Sequence, residues 1–394
     1  MTNVYIVDVL RTPVGKAPRG VFRHTLPDDL LAHAIRTLVS HNQSVDWEEI
    51  GDVIIGCAMP EGEQGMNVAR IASLLADLPQ SVPAMTINRF CSSGVQSIAT
   101  AAASIRSGEM QLALAGGVES MSMVPLGGNK YTANPGIFDN EHVAIAYGMG
   151  ITAENVAKQW NISREQQDKF AAESHKKAVA AQTRGDFKAE ITPIEITVRQ
   201  ADLANSTTIV KQKLVSDDEG PRADTSYDVI AKLKPVFAVK GSVTAGNSSQ
   251  TSDGAGIALL ASEEAVKKYN LKPMGRLLSY AVEGVPPAIM GIGPIKAIPV
   301  ALKRAGLTLD QIDWIELNEA FAAQALAVIK ELDLPRDKVN PLGGAIALGH
   351  PLGATGAIRT ATLLHGLKRT KGRYGMVTMC IGTGMGAAAI FEAL

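Results

Sequence analysis

Apolar and polar positions along the chain follow two alternating patterns. Short runs rich in β-branched residues, bounded by Gly, Pro or Asn, separate longer segments whose apolar positions recur at helical spacing. This alternation is typical of α/β architecture. The short runs predict strands over residues 4–9, 53–57, 84–88, 111–115, 256–260, 276–282, 314–317, 375–380 and 387–392. The longer segments predict helices over residues 28–40, 67–75, 91–107, 295–305, 320–332 and 354–367.

The order of these predicted elements repeats. In residues 53–115 a strand leads through a helix, a glycine-containing segment around Cys91 and a second helix to another strand. Residues 314–380 show the same order around His350. The distance from the first to the last strand is nearly equal in the two stretches, which favours a duplicated α/β unit over a many-copy solenoid. The alternative is a coincidental similarity within an α/β protein.

Residues 118–245 interrupt the repeat. A helical stretch over 152–184 contains Ser163 and Gln166 at the spacing of a capping box, which predicts that a second helix begins there. A charged section with prolines follows over 185–235. Such a long excursion from a strand edge predicts a subdomain that covers a substrate rather than a plain linker.

Composition excludes several classes of protein. Apolar residues make up 46% of the 394 residues and charged residues 20%, so the chain is not intrinsically disordered. A net charge of −1 argues against a broad electrostatic surface for nucleic acid or membrane, but it allows a local pocket for one anionic ligand. Since aromatic residues are only 5% and glycines number 37, the core must pack backbone and small side chains closely.

The cysteines and the chain ends bear on the cellular compartment. Three cysteines, at positions 57, 91 and 380, are too few for a disulfide framework and lack metal-ligand spacing. No signal-peptide pattern opens the sequence, no run has the character of a membrane span, and the final residues are not a peroxisomal tripeptide. We expect a cytoplasmic protein without metal or membrane insertion.

Cys91 opens a charge-free stretch, residues 91–105, that follows a predicted strand. The stretch predicts a buried helix with the cysteine in its first turn. There the free N–H groups and the helix dipole favour a thiolate and lower the thiol pKa. The alternative is that Cys91 is a small buried hydrophobic residue, as most free cysteines are.

His350 is the only ionisable side chain in residues 340–358, which also contain five glycines. A lone histidine among apolar residues is often a core residue with satisfied hydrogen bonds. Held by glycine turns, opposite a reactive Cys91 in the repeat, it also fits a positioned general base.

Cys380 and Asn318 complete the candidate chemistry. Cys380 precedes a glycine-rich string that resembles a dinucleotide loop, but a strand is predicted after it rather than the helix that such a loop requires. The glycines instead allow backbone N–H groups to approach a reacting oxygen. Asn318, at a strand end, could fix a water or cap the following helix. Two thiols and one imidazole without metal spacing fit acyl transfer through a thioester.

Five motifs in order carry a resemblance to the thiolase family that extends from residue 4 to residue 392. They are NRFCSSG (88–94), TAGNSSQTSDGA (244–255), NEAFAAQ (318–324), GGAIALGHPLGATGA (343–357) and CIGTGMGAA (380–388). GNSSQ and the stretch PPAIMGIGP (286–294) resemble the degradative 3-ketoacyl-CoA thiolases (acetyl-CoA C-acyltransferases) more than the biosynthetic acetoacetyl-CoA enzymes.

The resemblance implies a duplicated thiolase fold with five layers, α-β-α-β-α, and an inserted loop domain. The pseudo-repeat agrees with this fold. We expect an N-terminal half over residues 1–117 and 246–268, a loop domain over 118–245 that covers the CoA site, and a C-terminal half over 269–394.

The resemblance also implies roles for the catalytic residues. The family's nucleophile corresponds to Cys91, its catalytic histidine to His350 and its acid/base cysteine to Cys380. The asparagine that orients a water in the first oxyanion hole, where the histidine is the other donor, corresponds to Asn318. The second oxyanion hole corresponds to the backbone N–H groups of Cys91 and Gly382.

Contacts with CoA follow from the same resemblance. The loop-domain arginine near the adenine corresponds to Arg222 and the serine near the pantetheine to Ser249, while Met290, Ala320 and Phe321 resemble pocket walls. No tightly bound cofactor is implied, because CoA and acyl-CoA are substrates. The family forms dimers or dimers of dimers, and some bacterial members join a hydratase/dehydrogenase subunit.

The implied reaction is thiolytic cleavage of a 3-ketoacyl-CoA by CoA, as in β-oxidation, through an acyl-enzyme on Cys91. One alternative is the biosynthetic Claisen condensation of two acetyl-CoA. More distant alternatives are a Cys-His thioester hydrolase and a non-catalytic acyl-CoA carrier. Decarboxylating condensing enzymes share the fold but typically lack a second cysteine such as Cys380.

Two positions depart from the family pattern. Ile358 follows Gly356-Ala357 where an arginine is common, and Arg359 comes one place later, so the usual salt bridge of this loop is expected to be missing or rebuilt. Thr383 stands where many members have glycine, which is expected to stiffen the loop beside Gly382.

Overall fold

The computed structural model describes residues 3–139, 145, 147–202 and 205–394. The strands are β1 Val4–Arg11, β2 Gly15–Lys16, β3 Asp52–Gly56, β4 Ala84–Ile87, β5 Leu112–Ser120, β6 Ile194–Asp202, β7 Thr207–Val215, β8 Ser252–Ser262, β9 Gly275–Gly284, β10 Trp314–Leu317, β11 Tyr374–Ile381 and β12 Met385–Ala393. The helices are α1 Pro27–His41, α2 Val68–Leu75, α3 Ser93–Ser107, α4 Met149–Gln159, α5 Arg164–Arg184, α6 Tyr227–Ile230, α7 Glu263–Lys268, α8 Gly293–Ala305, α9 Ala322–Glu331, α10 Ala345–Leu348 and α11 Leu352–Thr370.

The sheet consists of two halves with the same topology. The order is β4-β3-β5-β8-β1 in the first half and β10-β11-β12-β9 in the second. In each half the inner pair is parallel (β3 with β5, β10 with β11) and the following pairs are antiparallel. A parallel bridge between Ile315 and Val339 occupies the place that β4 has in the first half. The predicted duplication is therefore confirmed in the strand order itself.

The two halves of the sheet stack with helices between and outside them. α3 and α11 lie in the middle, where Ile98 and Leu363 share an apolar cluster with Ile6 of β1 and Val377 of β11. A second cluster packs α1 and α2 on the outer face of the first half, and a third packs α8 and α9 on the outer face of the second. This is the expected α-β-α-β-α layering.

Glycines bring the two central helices into close contact. A Cβ built on Gly94 of α3 would lie 2.7 Å from the backbone nitrogen of Ala357 in α11. One built on Gly356 of α11 would lie 2.2 Å from the backbone nitrogen of Val95. Real Cβ atoms do not approach backbone so closely, so these positions require glycine. The high glycine content thus serves the contact between the two helices that lead into the candidate site.

The described part of the inserted region contains the helices α4, α5 and the short α6, and a hairpin. Ser163 and Gln166 form both bonds of the predicted capping box, 3.2 Å and 2.8 Å long, and α5 begins directly after Ser163. The hairpin β6-β7 was not predicted. Residues 194–199 of β6 do alternate apolar and polar, but β7 lacks this alternation and is almost wholly exposed.

The predicted strands and helices exist, with shifted ends. The helix expected from residue 91 begins at Ser93, and Cys91 lies in a 3₁₀ turn, Phe90–Ser92, just before it. The helix expected from residue 320 begins at Ala322, so Asn318 does not cap it. Among the described residues, no helix combines the length and apolar character needed to cross a membrane.

Candidate active site

Cys91 is held in a tightly bonded turn at the end of β4. The Asn88 side chain accepts from the Phe90 N–H at 2.8 Å and donates to the carbonyl of Ala58 at 3.0 Å. The Ser93 hydroxyl donates to the Phe90 carbonyl at 2.7 Å, and Phe90 adopts a left-handed φ of 44°. These bonds fix the half-buried Cys91 between strand and helix.

The Cys91 sulfur lies where backbone donors converge. The N–H groups of Gly382 and of Cys91 itself point at the thiol and lower its pKa, but burial outweighs them and raises the pKa to about 11. The expectation of a thiol pKa lowered by the helix end is therefore wrong for the resting enzyme. Cys91 rests as a neutral thiol and needs a base to become a nucleophile.

His350 lies in a loop between α10 and α11 and is only 4% exposed. Its backbone N–H donates to the Gln250 carbonyl and to the Ser252 hydroxyl, both at 3.1 Å. Its Nδ1 lies 2.6 Å from the hydroxyl of Thr355, and its Nε2 lies 3.3 Å from Nδ2 of Asn318. Both backbone and ring of the histidine are thus fixed.

The Thr355 hydroxyl determines the imidazole tautomer. It donates its single proton to the Pro351 carbonyl at 3.0 Å, so it accepts from Nδ1–H of His350. Nε2 then carries the lone pair and accepts from the Asn318 amide. Burial and the positive charge of Arg359 lower the pKa of His350 to about 3, so the ring is neutral at physiological pH. A neutral imidazole with its lone pair on Nε2 has the form of a general base.

Asn318 follows β10 and is 1% exposed. Its backbone N–H donates to the Thr378 carbonyl at 2.9 Å, and its amide reaches His350. Within the described part of the chain, its buried Oδ1 has no hydrogen-bond partner. An unpaired buried acceptor costs free energy, so it suits a donor brought by substrate or water.

Cys380 lies at the end of β11 and is fully buried. Burial, and then the neighbouring Cys91, raise its pKa well above the ordinary value, so it remains a thiol that can donate a proton. It shares one apolar cluster with Met290, Ala320 and Phe321, the predicted pocket walls, together with Ala153 and Val243. The structure therefore brings these predicted residues together.

Gly382 lies in the short connection between β11 and β12, which places its N–H at Cys91. A strand does follow this glycine-rich string, as predicted, which argues against a dinucleotide loop. The next residue, Thr383, adopts a left-handed φ of 70°, and its hydroxyl donates to the Gly382 carbonyl. A β-branched residue in this region is strained, so Thr383 does constrain the loop.

The predicted CoA contacts divide into two groups. Ser249 is half-buried, and its N–H donates to the Ala320 carbonyl at 2.9 Å, which ties it to the pocket wall. Arg222 is exposed and pairs with Asp224 at 3.1 Å. Its segment approaches the His350 loop, since Gln250 donates to the carbonyls of both Gly220 and Ile346. No bond joins the described Arg222 side chain to the Cys380 cluster.

The departure at position 358 has a structural answer. Arg359 is 3% exposed and lies 3.6 Å from the carboxylate of Glu316 on β10, two residues before Asn318. The salt bridge is thus formed by the arginine one position later. Ile358 instead packs with Val14 and Ala354 in a small apolar cluster.

Sequence reasoning missed three buried groups at the site: Thr355, Ser252 and Glu119. Thr355 and Ser252 bond to His350, and Glu119 bonds to the first turn of α11. A polar residue five positions after a candidate base was a usable signal for Thr355, whereas the other two come near only through the fold. The described residues contain no group of His, Cys, Asp or Glu arranged to hold a metal ion.

Two like α/β halves carry a thiol, a neutral imidazole and a second thiol at the ends of their strands and helices, a set of groups that fits acyl transfer through a thioester. The chain belongs to the thiolase family: the thiolase N-terminal domain matches residues 4–264 and the thiolase C-terminal domain matches residues 271–393.

Several characterised proteins are similar over the whole chain. A 3-ketoacyl-CoA thiolase of Bacillus subtilis is 50% identical, with all of both chains covered. The peroxisomal 3-ketoacyl-CoA thiolase of Homo sapiens is 49% identical over 99% of this chain and 91% of its own.

Two solved structures are also similar. The Bacillus anthracis acetyl-CoA acetyltransferase has a TM-score of 0.90 and 40% identity, with 100% and 99% of the chains covered. The dimeric peroxisomal thiolase of Saccharomyces cerevisiae has a TM-score of 0.89 and 41% identity, with 100% and 98% covered.

Proposed function

We propose that this enzyme cleaves 3-ketoacyl-CoA with CoA, releasing acetyl-CoA and an acyl-CoA shortened by that unit, as in fatty acid β-oxidation. The observation that carries this proposal is the convergence of Cys91, Gly382 and Cys380, in a chain that also holds a neutral His350 oriented by Thr355 and Asn318. Identity of about 50% to named 3-ketoacyl-CoA thiolases over the full chain supports the same substrate class.

In the first half-reaction, Nε2 of His350 removes the Cys91 proton as the sulfur attacks the 3-keto carbon. The bond between C2 and C3 then breaks, and its electron pair remains on C2 of the departing acetyl-CoA unit. The Cys380 thiol gives its proton to that carbon, and the shortened acyl group remains on Cys91 as a thioester. Because the resting thiol and imidazole are both neutral, the proton moves only when a substrate is attacked.

In the second half-reaction, the Cys380 thiolate takes the proton of the CoA thiol, and the CoA sulfur attacks the thioester. The bond between the acyl carbon and the Cys91 sulfur then breaks, Cys91 regains the proton that His350 holds, and the shortened acyl-CoA leaves. The negative charge that develops on the thioester oxygen lies within reach of the N–H groups of Cys91 and Gly382, since both already point at the Cys91 sulfur. Such donors each stabilise a transition state by a few kcal/mol. His350 and Asn318 serve the other oxygen, the carbonyl oxygen of the departing acetyl-CoA unit, on which the enolate charge develops.

Condensation of two acetyl-CoA is the second candidate, because one similar structure is an acetyl-CoA acetyltransferase. Its 40% identity is lower than the 50% shared with a 3-ketoacyl-CoA thiolase, which favours the degradative reaction.

The testing experiment is CoA-dependent loss of 3-ketoacyl-CoA, measured from four carbons to long chains. We expect turnover of medium or long substrates, with acetyl-CoA as one product. Activity confined to the four-carbon substrate would favour the condensing enzyme, and loss of substrate without added CoA would favour a hydrolase. Cys91→Ser is expected to lower kcat by at least about 10³-fold, since removal of a covalent nucleophile has effects of this order, with an unchanged thermal unfolding midpoint.

We also propose a homodimer, supported by the edge strand β4 and by the similar yeast thiolase whose structure is described as dimeric. A tetramer and a complex with a hydratase/dehydrogenase subunit stay predictions, as do the absence of a bound cofactor and the cytoplasmic location. Relatives named as peroxisomal make cell fractionation the test of location.

A further inference from the structure

Glu119 is a buried carboxylate that the proposed reaction does not use. It lies near the end of β5, on the side of the sheet where Cys91 and Cys380 are found, and its exposure is 0%. A buried charge is costly unless its oxygens are fully bonded. The hydrogen-bond partners of Glu119 therefore decide whether its buried charge is tolerated.

Hydrogen-bond donors surround both oxygens of Glu119. Oε2 accepts from the backbone N–H groups of Ala58 and Gly353, both at 2.8 Å. Oε1 accepts from the N–H of Met59 at 3.2 Å and from the side-chain amide of Gln64, and the Cys57 thiol lies 3.9 Å away. Since every partner donates, the ionised, acceptor-only carboxylate satisfies them all, whereas a protonated one would have an O–H without an acceptor.

These bonds join the two halves of the fold at the candidate site. Ala58 and Met59 follow β3 in the first half, and the carbonyl of Ala58 also holds Asn88 of the Cys91 turn. Gly353 is the second residue of α11 in the second half, three positions after His350. Gly353 has no room for a side chain, since a Cβ there would lie 2.7 Å from Cα of Cys57. The carboxylate thus joins the first turn of α11, which follows His350, to residues 58–59, which hold the Cys91 turn through Asn88.

The internal repeat gives Glu119 a counterpart. Gly117 of β5 pairs with the last residue of β3, as Thr378 of β11 pairs with the last residue of β10. Two residues further on, these strands carry Glu119 and Cys380, respectively. The same position therefore carries a proton-transfer thiol in one half and a fixed carboxylate in the other.

We propose that Glu119 is a positioning residue of this active site: its ionised carboxylate ties the first turn of α11, which follows His350, to residues 58–59, which in turn hold the turn that carries Cys91. The expected loss of activity rests on the proposed function. The expected effect on the reactivity of the Cys91 thiol does not, because alkylation requires no turnover.

Glu119 is one of several groups that surround Cys91. Its charge raises the pKa of the Cys91 thiol. Cys380 of β11 is the other acidic neighbour and rests as a thiol. From the remaining elements, the neutral His350 faces the site, and Arg89 lies in the Cys91 turn itself beside Tyr280 of β9. Loss of the Glu119 charge therefore removes the fixed negative charge near the sulfur.

The test compares Glu119→Gln and Glu119→Asp with the wild type. Two quantities are measured: kcat for thiolysis, and the rate at which iodoacetamide alkylates Cys91 between pH 7 and 9, with mass spectrometry to assign the labelled cysteine. We expect Glu119→Gln to lower kcat on the order of 100-fold, since small displacements of a catalytic group have effects of this size. We expect it also to raise the alkylation rate of Cys91, because the thiolate is favoured. Glu119→Asp keeps the charge but is shorter, so kcat falls while the alkylation rate stays near that of the wild type.

Glu392→Gln is the matched control. It removes another buried carboxylate, which pairs with Arg276 and Arg373 at the end of β12 remote from Gly382, and it should change neither quantity. The thermal unfolding midpoint shows whether each variant is folded. If folded Glu119→Gln has wild-type kcat and alkylation rate, the proposal is wrong. If Glu119→Gln does not fold, wild-type kcat in Glu119→Asp overturns it. A wild type without thiolysis would refute the proposed function, while the alkylation rates would still test the effect of the Glu119 charge.

Discussion

At the scale of single residues, the site depends on groups whose charge is suppressed by burial. Cys91, His350 and Cys380 were recognisable from the sequence, because each stands in a charge-poor or glycine-rich segment. Their protonation states were not, since these depend on packing from elements distant in sequence. The neutral Nε2 of His350 follows from Thr355 and from burial in the folded chain.

The lowered pKa of His350 makes stability depend on pH. The folded ring has a pKa of about 3, against an ordinary value of 6.5. Above pH 6.5 neither state is protonated, but below it only the unfolded chain takes up this proton, so stability falls as pH falls toward 3. Between pH 6.5 and 5.0 this amounts to about 2 kcal/mol. We therefore expect His350→Gln to lose about 2 kcal/mol less than the wild type over that interval, measured by urea unfolding.

The pH dependence of the variant is compared with that of the wild type because other buried groups also titrate. Burial lowers the pKa of His175 to about 4, which acts in the same direction, and raises the pKa of Glu316 to about 7, which opposes it. The same substitution at the exposed His24 is the control. Equal pH dependence in His350→Gln and the wild type would show that the histidine is not buried in its neutral form.

Strain at Thr383 gives a second prediction at this scale. Its φ of 70° is unfavourable for a β-branched side chain and costs about 1–3 kcal/mol. The larger conformational entropy of glycine in the unfolded chain lowers the stability of the folded state by up to about 1 kcal/mol. Thr383→Gly should therefore raise the free energy of unfolding by about 1 kcal/mol. Because the freed loop carries the Gly382 N–H, kcat should fall at the same time. The exposed Asp77, with a φ of 61°, tests the same substitution where no catalytic group is near. A less stable Thr383→Gly would mean that the threonine is not strained.

At the scale of elements, the pattern of apolar residues predicted the helices and strands that have a buried face and missed the exposed hairpin β6-β7. The observed start of a helix differs from the predicted one where an irregular turn precedes the helix. The residues before α3 form a 3₁₀ turn because the Asn88 and Ser93 side chains bond to its backbone, a local competition that apolar spacing does not reveal.

The contact of α11 with the segment that follows β3 predicts a severe effect of a small substitution. Gly353→Ala would place a Cβ 2.7 Å from Cα of Cys57 and 2.8 Å from the Glu119 carboxylate, both in fixed surroundings. Overpacking of this kind costs about 1–3 kcal/mol or more. We expect a lower thermal unfolding midpoint together with lower kcat, because the first turn of α11 must move.

Gly284→Ala is the matched control for this substitution. Gly284 ends β9, and a Cβ built there meets no atom within 4 Å. Its unfolding midpoint should stay close to that of the wild type. Equal midpoints for Gly353→Ala and Gly284→Ala would contradict the close contact of α11 with the segment that follows β3.

At the scale of the whole molecule, the repeat explains why the site is asymmetric. Equivalent positions carry different chemistry: the thiol of Cys380 in one half corresponds to the carboxylate of Glu119 in the other. The repeat was visible in the order and spacing of predicted elements, but this correspondence depends on strand register, which the sequence does not specify. Duplication supplied the scaffold, and divergence at matched strand ends supplied a base, two thiols and their supports.

The proposed dimer follows from an edge that a single chain leaves open. β4 pairs only with β3 among the described strands, and Met85 on it and Met66 nearby are 36% and 95% exposed. An open edge with apolar side chains is a site of association.

We expect light scattering to give twice the chain mass of 41.5 kDa for the wild type. Met85→Lys should give the mass of one chain, because a lysine on an edge strand opposes pairing. Val239→Lys, which replaces a fully exposed apolar residue of the inserted region, should remain dimeric. A dimeric Met85→Lys would mean that the two chains associate through another surface.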